Sequence, residues 1–261
     1  MNGFEEKIEN MGDIAKKVCD RHFGIGADGM MCCESSKIAD VKMNYYNSDG
    51  SRAEMCGNGI RCFSRFVYDN NIVNKTSFTV ETDAGVKLID LTIENDNIKY
   101  ISVGMGKASF ESEIIPCSID KKEILEEKIQ VDGKEFEISS LLVGVPHTVV
   151  FVEDIENFDV DRIGEKIEVL SIFPKRTNVN FVKILDEQTI LIKTWERGAG
   201  RTLACGTGSC SAMAVAYKLG KIKSNRAKII TEGGNIFVEI NDEYRITMIG
   251  EAELICTGEI Y

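Results

Sequence analysis

One sentence is written twice in this chain. "VKMNYYNSDGSRAEMCGNG", residues 41–59, matches "ILIKTWERGAGRTLACGTG", residues 190–208, without a gap. In both copies a cysteine follows nine places after a polar residue that opens the turn, Asn47 before Cys56 and Glu196 before Cys205. The two cysteines lie 149 positions apart (56 to 205). A long period used once means a duplicated domain, because a solenoid repeats every ~20–50 residues over many copies.

The order within each half reads alike. A short helix ("MGDIAKKVCDR"; "VDRIGEKIE") comes first, then strands rich in Val, Ile, Tyr and Thr. The glycine turn with its cysteine follows, then a helix, then alternating strands. "KLIDLTIENDNIKYISVGMG" and "IFVEINDEYRITMIGE" read as hairpins, with Asn/Asp turns between runs of period two. After Cys205 the helix is nearly all small residues (Ser209, Cys210, Ser211, Ala212, Ala214, Ala216), so other backbone must approach it closely. The expected fold is α+β: two pseudo-symmetric duplicated domains, each a curved, mostly antiparallel sheet around a central helix, with the active site in the cleft between them. The expected division is residues 1–109 and 110–252, with a C-terminal strand over 253–261 rejoining the first half. "LLVGVPHTVV" reads as a strand before the second copy that has no counterpart in the first, so the first half is expected to lack its first strand. "IDKKEILEEK" reads as a solvated helix face.

Composition narrows the partners. A hydrophobic content of 43% and a charged content of 28% are those of an ordinary globular chain. The net charge of −11 argues against nucleic acid or anionic membrane as partners. No apolar run approaches the ~20 residues of a membrane span. Nine cysteines, an odd number without any C-x-x-C pair, and only two histidines point to reduced thiols rather than disulfides or structural zinc. That reading places the chain in the cytoplasm. Cys32 and Cys33 read as buried strand residues.

The chemistry resides in the turns. Each cysteine precedes Gly-x-Gly and a helix start: Cys56-Gly57-Asn58-Gly59 and Cys205-Gly206-Thr207-Gly208. Free amides at a helix N-terminus favour an anion, and the same field is expected to lower a thiol's pKa. Two such sites suggest that one thiolate removes a proton from a carbon while the other thiol returns one to the opposite face. The helix N-termini would then hold the carboxylate that takes up the carbanion's charge. No pyridoxal-phosphate lysine motif is evident, so no cofactor and no metal is expected.

At "NSDGSRAEMCGNG", "GIGADG", "RTNVNFV" and "WERGAGRTLACGTGS" the chain resembles the diaminopimelate epimerases, cofactor-independent two-cysteine enzymes, over essentially its whole length. Proline racemases, which are related, differ in the first motif and lack the E-R-G-A-G element. The resemblance implies that Cys56 and Cys205 are the acid/base pair. Gly57, Asn58, Gly206 and Thr207 would hold the reacting carboxylate. Asn47, Asn178, Glu196 and Arg197 would hold the distal amino-acid head group, with His147 in support. It implies a small amino-acid substrate, conversion of LL- to meso-diaminopimelate in lysine biosynthesis, and a homodimer. Two departures stand out. The family opens with a strand and a "GxGNDF" element that this chain starts after, and Val145-Pro146-His147 replaces the usual Asn-Pro-His. Two other readings stay open: a racemase of another amino acid, and a catalytically impaired binding protein.

Overall fold

A computed structural model describes residues 1, 3 and 9–259. The chain divides into two compact units, Met1–Gly104 with Gly250–Tyr261, and Met105–Ile249.

In the first unit, α1 (Met11–Cys19) is followed by β1 (Gly29–Glu34), β2 (Val41–Asn47) and the short β3 (Arg52–Ala53). Then come α2 (Gly57–Asp69), β4 (Ser77–Thr82), β5 (Gly85–Glu94) and β6 (Asn97–Lys107), whose last residues enter the second unit. β1 and β2 are antiparallel, β2 and β4 parallel, and β4, β5 and β6 antiparallel in turn. The parallel pair requires a crossover, and α2 supplies it. Helix α1 packs on the sheet through Met11, Ala15 and Cys19 against Met30 and Cys32. Cys32 and Cys33 are buried strand residues, as expected. The β5–β6 turn carries Asn95 and Asp96 in the left-handed region, φ 50° and 61°, which is why it is written Asn-Asp.

The second unit starts with the hairpin β7 (Ile124–Val131) and β8 (Lys134–Val143), then β9 (Val145–Phe151) and α3 (Val160–Glu168). β10 (Asn178–Asp186), β11 (Thr189–Glu196), β12 (Gly200–Thr202), α4 (Gly206–Lys218), β13 (Arg226–Thr231), β14 (Gly234–Ile240) and β15 (Arg245–Gly250) complete it. β10 and β11 pair antiparallel, β11 and β13 parallel across α4, and β13, β14 and β15 antiparallel. Every element from α1 to β4 thus has a counterpart in the same order. The helices α1/α3 and α2/α4 and the strands β4/β13 correspond at both ends with the 149-residue offset that separates the two cysteines. The duplication therefore holds residue by residue through the segment that carries the site.

Helix α4 is enclosed. Residues Gly208–Ala216 are all buried, and strands β8, β9, β10, β11, β13 and β14 pack against it. Helix α2 is amphipathic instead, burying Ile60, Phe63 and Val67 while Asn58 and Cys62 are exposed. A second core lies between α3 and β7–β10, with Ile138, Ile155, Ile167, Val179 and Phe181 fully buried. Full burial of such side chains contributes about 1.5–3 kcal/mol each.

Three expectations are corrected. "IDKKEILEEK" is not helical: from Ile124 onward it is β7, alternating between the core and solvent and joined to β8 through Asp132-Gly133. Both turn residues have positive φ, 53° and 74°, the geometry that closes a two-residue hairpin. "LLVGVPHTVV" is the end of β8 and the start of β9, folded back at Gly144 with φ 71°. Finally, residues 253–259 form no strand: Leu254 and Ile255 are exposed, and the nearby chain is held by side chains, Arg65 Nη1 donating to the Ala252 carbonyl. Residues 260 and 261 lie outside the described residues. In the first unit the backbone of Met1 and Gly3 bonds to β1 beside Cys33, at the places equivalent to Val150 and Val152 along β10.

Candidate active site

Cys56 is the N-cap of α2 and Cys205 the N-cap of α4, both with extended backbone. Each sulfur accepts the amide of the second glycine, from Gly59 N at 3.3 Å and from Gly208 N at 3.4 Å. Space for a side chain is lacking at Gly208 and tight at Gly59. A Cβ at Gly208 would lie 2.4 Å from Asn180 Oδ1, and one at Gly59 would lie 3.2 Å from both Met31 Sδ and Cys56 Cβ. Gly57 and Gly206 open the two helices, so the amides that follow have no helical partners.

In the first unit, Asn47 ends β2 and is tied into its turn, Nδ2 donating to Ser51 Oγ and Ser51 O accepting the Asn47 amide, both at 2.9 Å. Asn58 Oδ1 accepts from Arg61 Nη2 at 3.0 Å, and Arg61 Nε donates to the Glu251 carbonyl. Tyr45 was not anticipated. It is buried, and its pKa is raised by burial first and by the charge of the Cys56 thiolate second. Gly29 makes room for it, since a Cβ there would lie 2.5 Å from the phenol oxygen.

In the second unit, Cys205 is buried, with Thr207 Oγ1 3.5 Å from its sulfur. Its pKa is not lowered but pushed up to about 12. Burial is the main cause and the negative charge of Glu196 the second; they outweigh Thr207 and the Gly208 amide. Cys205 therefore rests as a thiol. Glu196, at the end of β11, also accepts from Thr202 Oγ1 at 2.6 Å. The resemblance implies a head-group role for Glu196, and its charge also acts on the thiol. Asn178, the first residue of β10, is buried and fixed on both sides. It donates to the Pro146 carbonyl at 2.8 Å and accepts the Arg197 amide at 3.0 Å. Arg197 Nη1 donates to the Lys175 carbonyl.

His147 lies opposite Asn178 in the parallel β9–β10 register and is fully buried. Nδ1 is 3.2 Å from Asn180 Nδ2, which places the ring proton on Nε2, and Nε2 has no partner among the described residues. Burial, and then the charge of Arg197, lower its pKa from 6.5 to about 3. A histidine that stays neutral when folded but protonates when unfolded makes the unfolded chain bind more protons between those two values. Stability is therefore expected to fall as pH drops from 6.5 towards about 3, by up to ~1.4 kcal/mol per pH unit. Denaturant titrations of the wild type and His147→Gln across that range check this: the variant should lose less stability, and equal slopes would contradict it.

The described residues contain no group of three or more His, Cys, Asp or Glu side chains placed to hold a metal, and no helix long and apolar enough to cross a membrane. Within each unit, then, the duplicated turn assembles the same device: a thiol capping a helix, glycines beneath it and a polar strand end beside it. Asn47 and Tyr45 accompany it in the first unit, and Glu196, Arg197, Asn178 and His147 in the second.

Known proteins share the fold, and others share much of the sequence. A hydroxyproline epimerase from Agrobacterium vitis, solved with trans-4-hydroxy-L-proline, matches with a TM-score of 0.66 over 90% of this chain and 75% of that one at 16% identity. A Bacillus anthracis phenazine biosynthesis protein of the PhzF family matches with a TM-score of 0.65 at 18% identity, over 95% of this chain and 87% of that one. At such identities the likeness concerns the fold alone. Sequence relatives are nearer. Diaminopimelate epimerase of Caldanaerobacter subterraneus subsp. tengcongensis is 47% identical over 98% of this chain and 93% of its own length. That of Clostridium perfringens is 48% identical over 97% and 91%. The family model described as Diaminopimelate epimerase matches residues 2–111 and 139–255, which include both cysteine turns. With the duplicated fold, the paired thiol caps and these relatives in agreement, the chain belongs to the diaminopimelate epimerase family.

Proposed function

We infer that this protein is an isomerase that inverts one α-carbon of diaminopimelate, interconverting the LL and meso forms in lysine biosynthesis. The observation that carries the reading is the pair of equivalent cysteines, each an N-cap whose sulfur accepts the amide three residues on. Inversion needs one group to take the α-proton and another to return one to the opposite face, and Cys56 and Cys205 are the two groups equipped for that. As acid, Cys205 gives up the proton that its raised pKa holds in the resting state. As base, it first passes that proton to the Glu196 carboxylate beside it. The amides of Gly57 and Asn58, and of Gly206 and Thr207, are free at the helix starts. They are suited to the α-carboxylate, where the carbanion's charge spreads as it forms. Arg197 supplies a fork for the distal carboxylate.

The reading also has the chain act as a cytoplasmic homodimer on a small molecule, without pyridoxal phosphate or metal. Support comes from the family resemblance and the absence of a cofactor lysine motif. The experiment is conversion of LL-diaminopimelate followed by chiral chromatography, with enzyme pretreated with hydroxylamine and EDTA. Formation of the meso isomer at the untreated rate is expected. Inversion of proline or another amino acid in its place, binding without conversion, or loss of activity on pretreatment would overturn it.

A further inference from the structure

We propose that Glu168 is a positioning residue that clamps the Glu196-Arg197 pair, an inference that rests on the functional reading above. Glu168 is the last residue of α3 and only 4% exposed. A carboxylate there faces the negative end of its own helix and loses its water, so helix stability does not explain it. Its partners do. Oε2 accepts the indole N–H of Trp195 at 2.7 Å, and Oε1 accepts the backbone N–H of Gly198 at 3.1 Å. These two residues flank Glu196 and Arg197. One carboxylate therefore grips the turn immediately before and immediately after the charged pair. Arg176 approaches Oε1 at 3.3 Å from an exposed position, a weaker contact.

The surroundings are shaped for this grip. A Cβ at Gly164 of α3 would lie 2.6 Å from Trp195 Cβ, so only glycine lets the indole lie against the helix that carries Glu168. Gly200, at φ +80°, lies at the far edge of the ring. The first unit has no such device. By the 149-residue offset Cys19 stands in place of Glu168, Ala15 of Gly164, Tyr46 of Trp195 and Asp49 of Gly198. The clamp is present in the half that carries the ionic pair and absent from the half that carries Asn47. Its effect is to fix the strand end that carries Glu196 and the backbone from which Arg197 extends.

Glu168→Gln in the full chain tests this. The amide offers one acceptor where the carboxylate offers two, so one of the two N–H groups is left facing an NH2. Hydrogen bonds to a charged group are each worth enough to predict a KM for LL-diaminopimelate raised ~10-fold and kcat/KM lowered ~10–100-fold. Trp195 is the only tryptophan, so its emission reports the loss of the carboxylate from the indole directly, and a shift is expected. Trp195→Phe keeps the bond to Gly198 and should raise KM less; it serves as the second reading if Glu168→Gln lowers the melting temperature strongly. Unchanged KM in both variants, or a fall in melting temperature with KM and emission unaltered, would overturn the proposal. An inactive wild type is a different outcome: it removes the functional reading, while the Trp195 emission of the wild type and of Glu168→Gln still decides whether the clamp exists.

Discussion

Replacing either Cys56 or Cys205 by serine is expected to lower epimerisation at neutral pH by ~10³-fold or more, the upper part of the range for loss of a positioned acid or base. A serine hydroxyl keeps the N-cap role, because it accepts the Gly59 or Gly208 amide at least as well as sulfur does. The helices should therefore form and the melting temperature stay near that of the wild type. What disappears is a group able to shuttle a proton to and from carbon. Both variants should fail in both directions, because each direction uses one thiol as base and the other as acid. Steady-state rates from LL and from meso substrate check this, and one variant racemising at the wild-type rate would remove that thiol from the mechanism.

Glu196→Gln is expected to reduce kcat by ~10²-fold or more, as its carboxylate is the proton acceptor proposed for the Cys205 thiol, on which its charge acts. The same substitution should make Cys205 more acidic. The thiol is held at about 12 partly by the negative charge of Glu196, so neutralising that charge lets the value fall, although burial keeps it above the ordinary range. Activity and thiol acidity then move in opposite senses to what thiolate content alone would give: more thiolate, less catalysis. Thiolate absorbance titrated against a Cys205→Ser reference reads the first quantity and turnover the second. A Glu196→Gln protein with an unshifted Cys205 titration and undiminished kcat would separate Glu196 from the thiol.

The fold was largely legible because the duplication is. The gapless match across residues 41–59 and 190–208 carried the element order from one half to the other, and Asn95-Asp96 marked a hairpin by local chemistry alone. The errors arose where local composition competed with pairing. In "IDKKEILEEK" the charges suit a helix surface, but Asp132-Gly133 directly after it closes a hairpin, and pairing with β8 decides the conformation. Gly144 was read through as strand because its neighbours are all apolar. The cysteines were found from their glycines, yet the acidity of Cys205 was misjudged: the helix N-terminus was visible in sequence, whereas its burial and the approach of Glu196 were not. Tyr45 and Glu168 left no motif. Glu168 meets Trp195 and Gly198 at separations of 27 and 30 residues, and only the fold brings them together.

The most direct test of the two-thiol account is the conversion of LL-diaminopimelate in deuterated water, with isotope content followed in both isomers at early times. If one thiol removes the proton and a different, solvent-equilibrated thiol delivers its replacement, the meso product carries deuterium at the inverted carbon from the first turnover, while remaining LL substrate keeps its hydrogen. Deuterium appearing in unreacted substrate as fast as in product, or product formed with the original hydrogen retained, would mean that a single group performs both transfers, and would contradict the account.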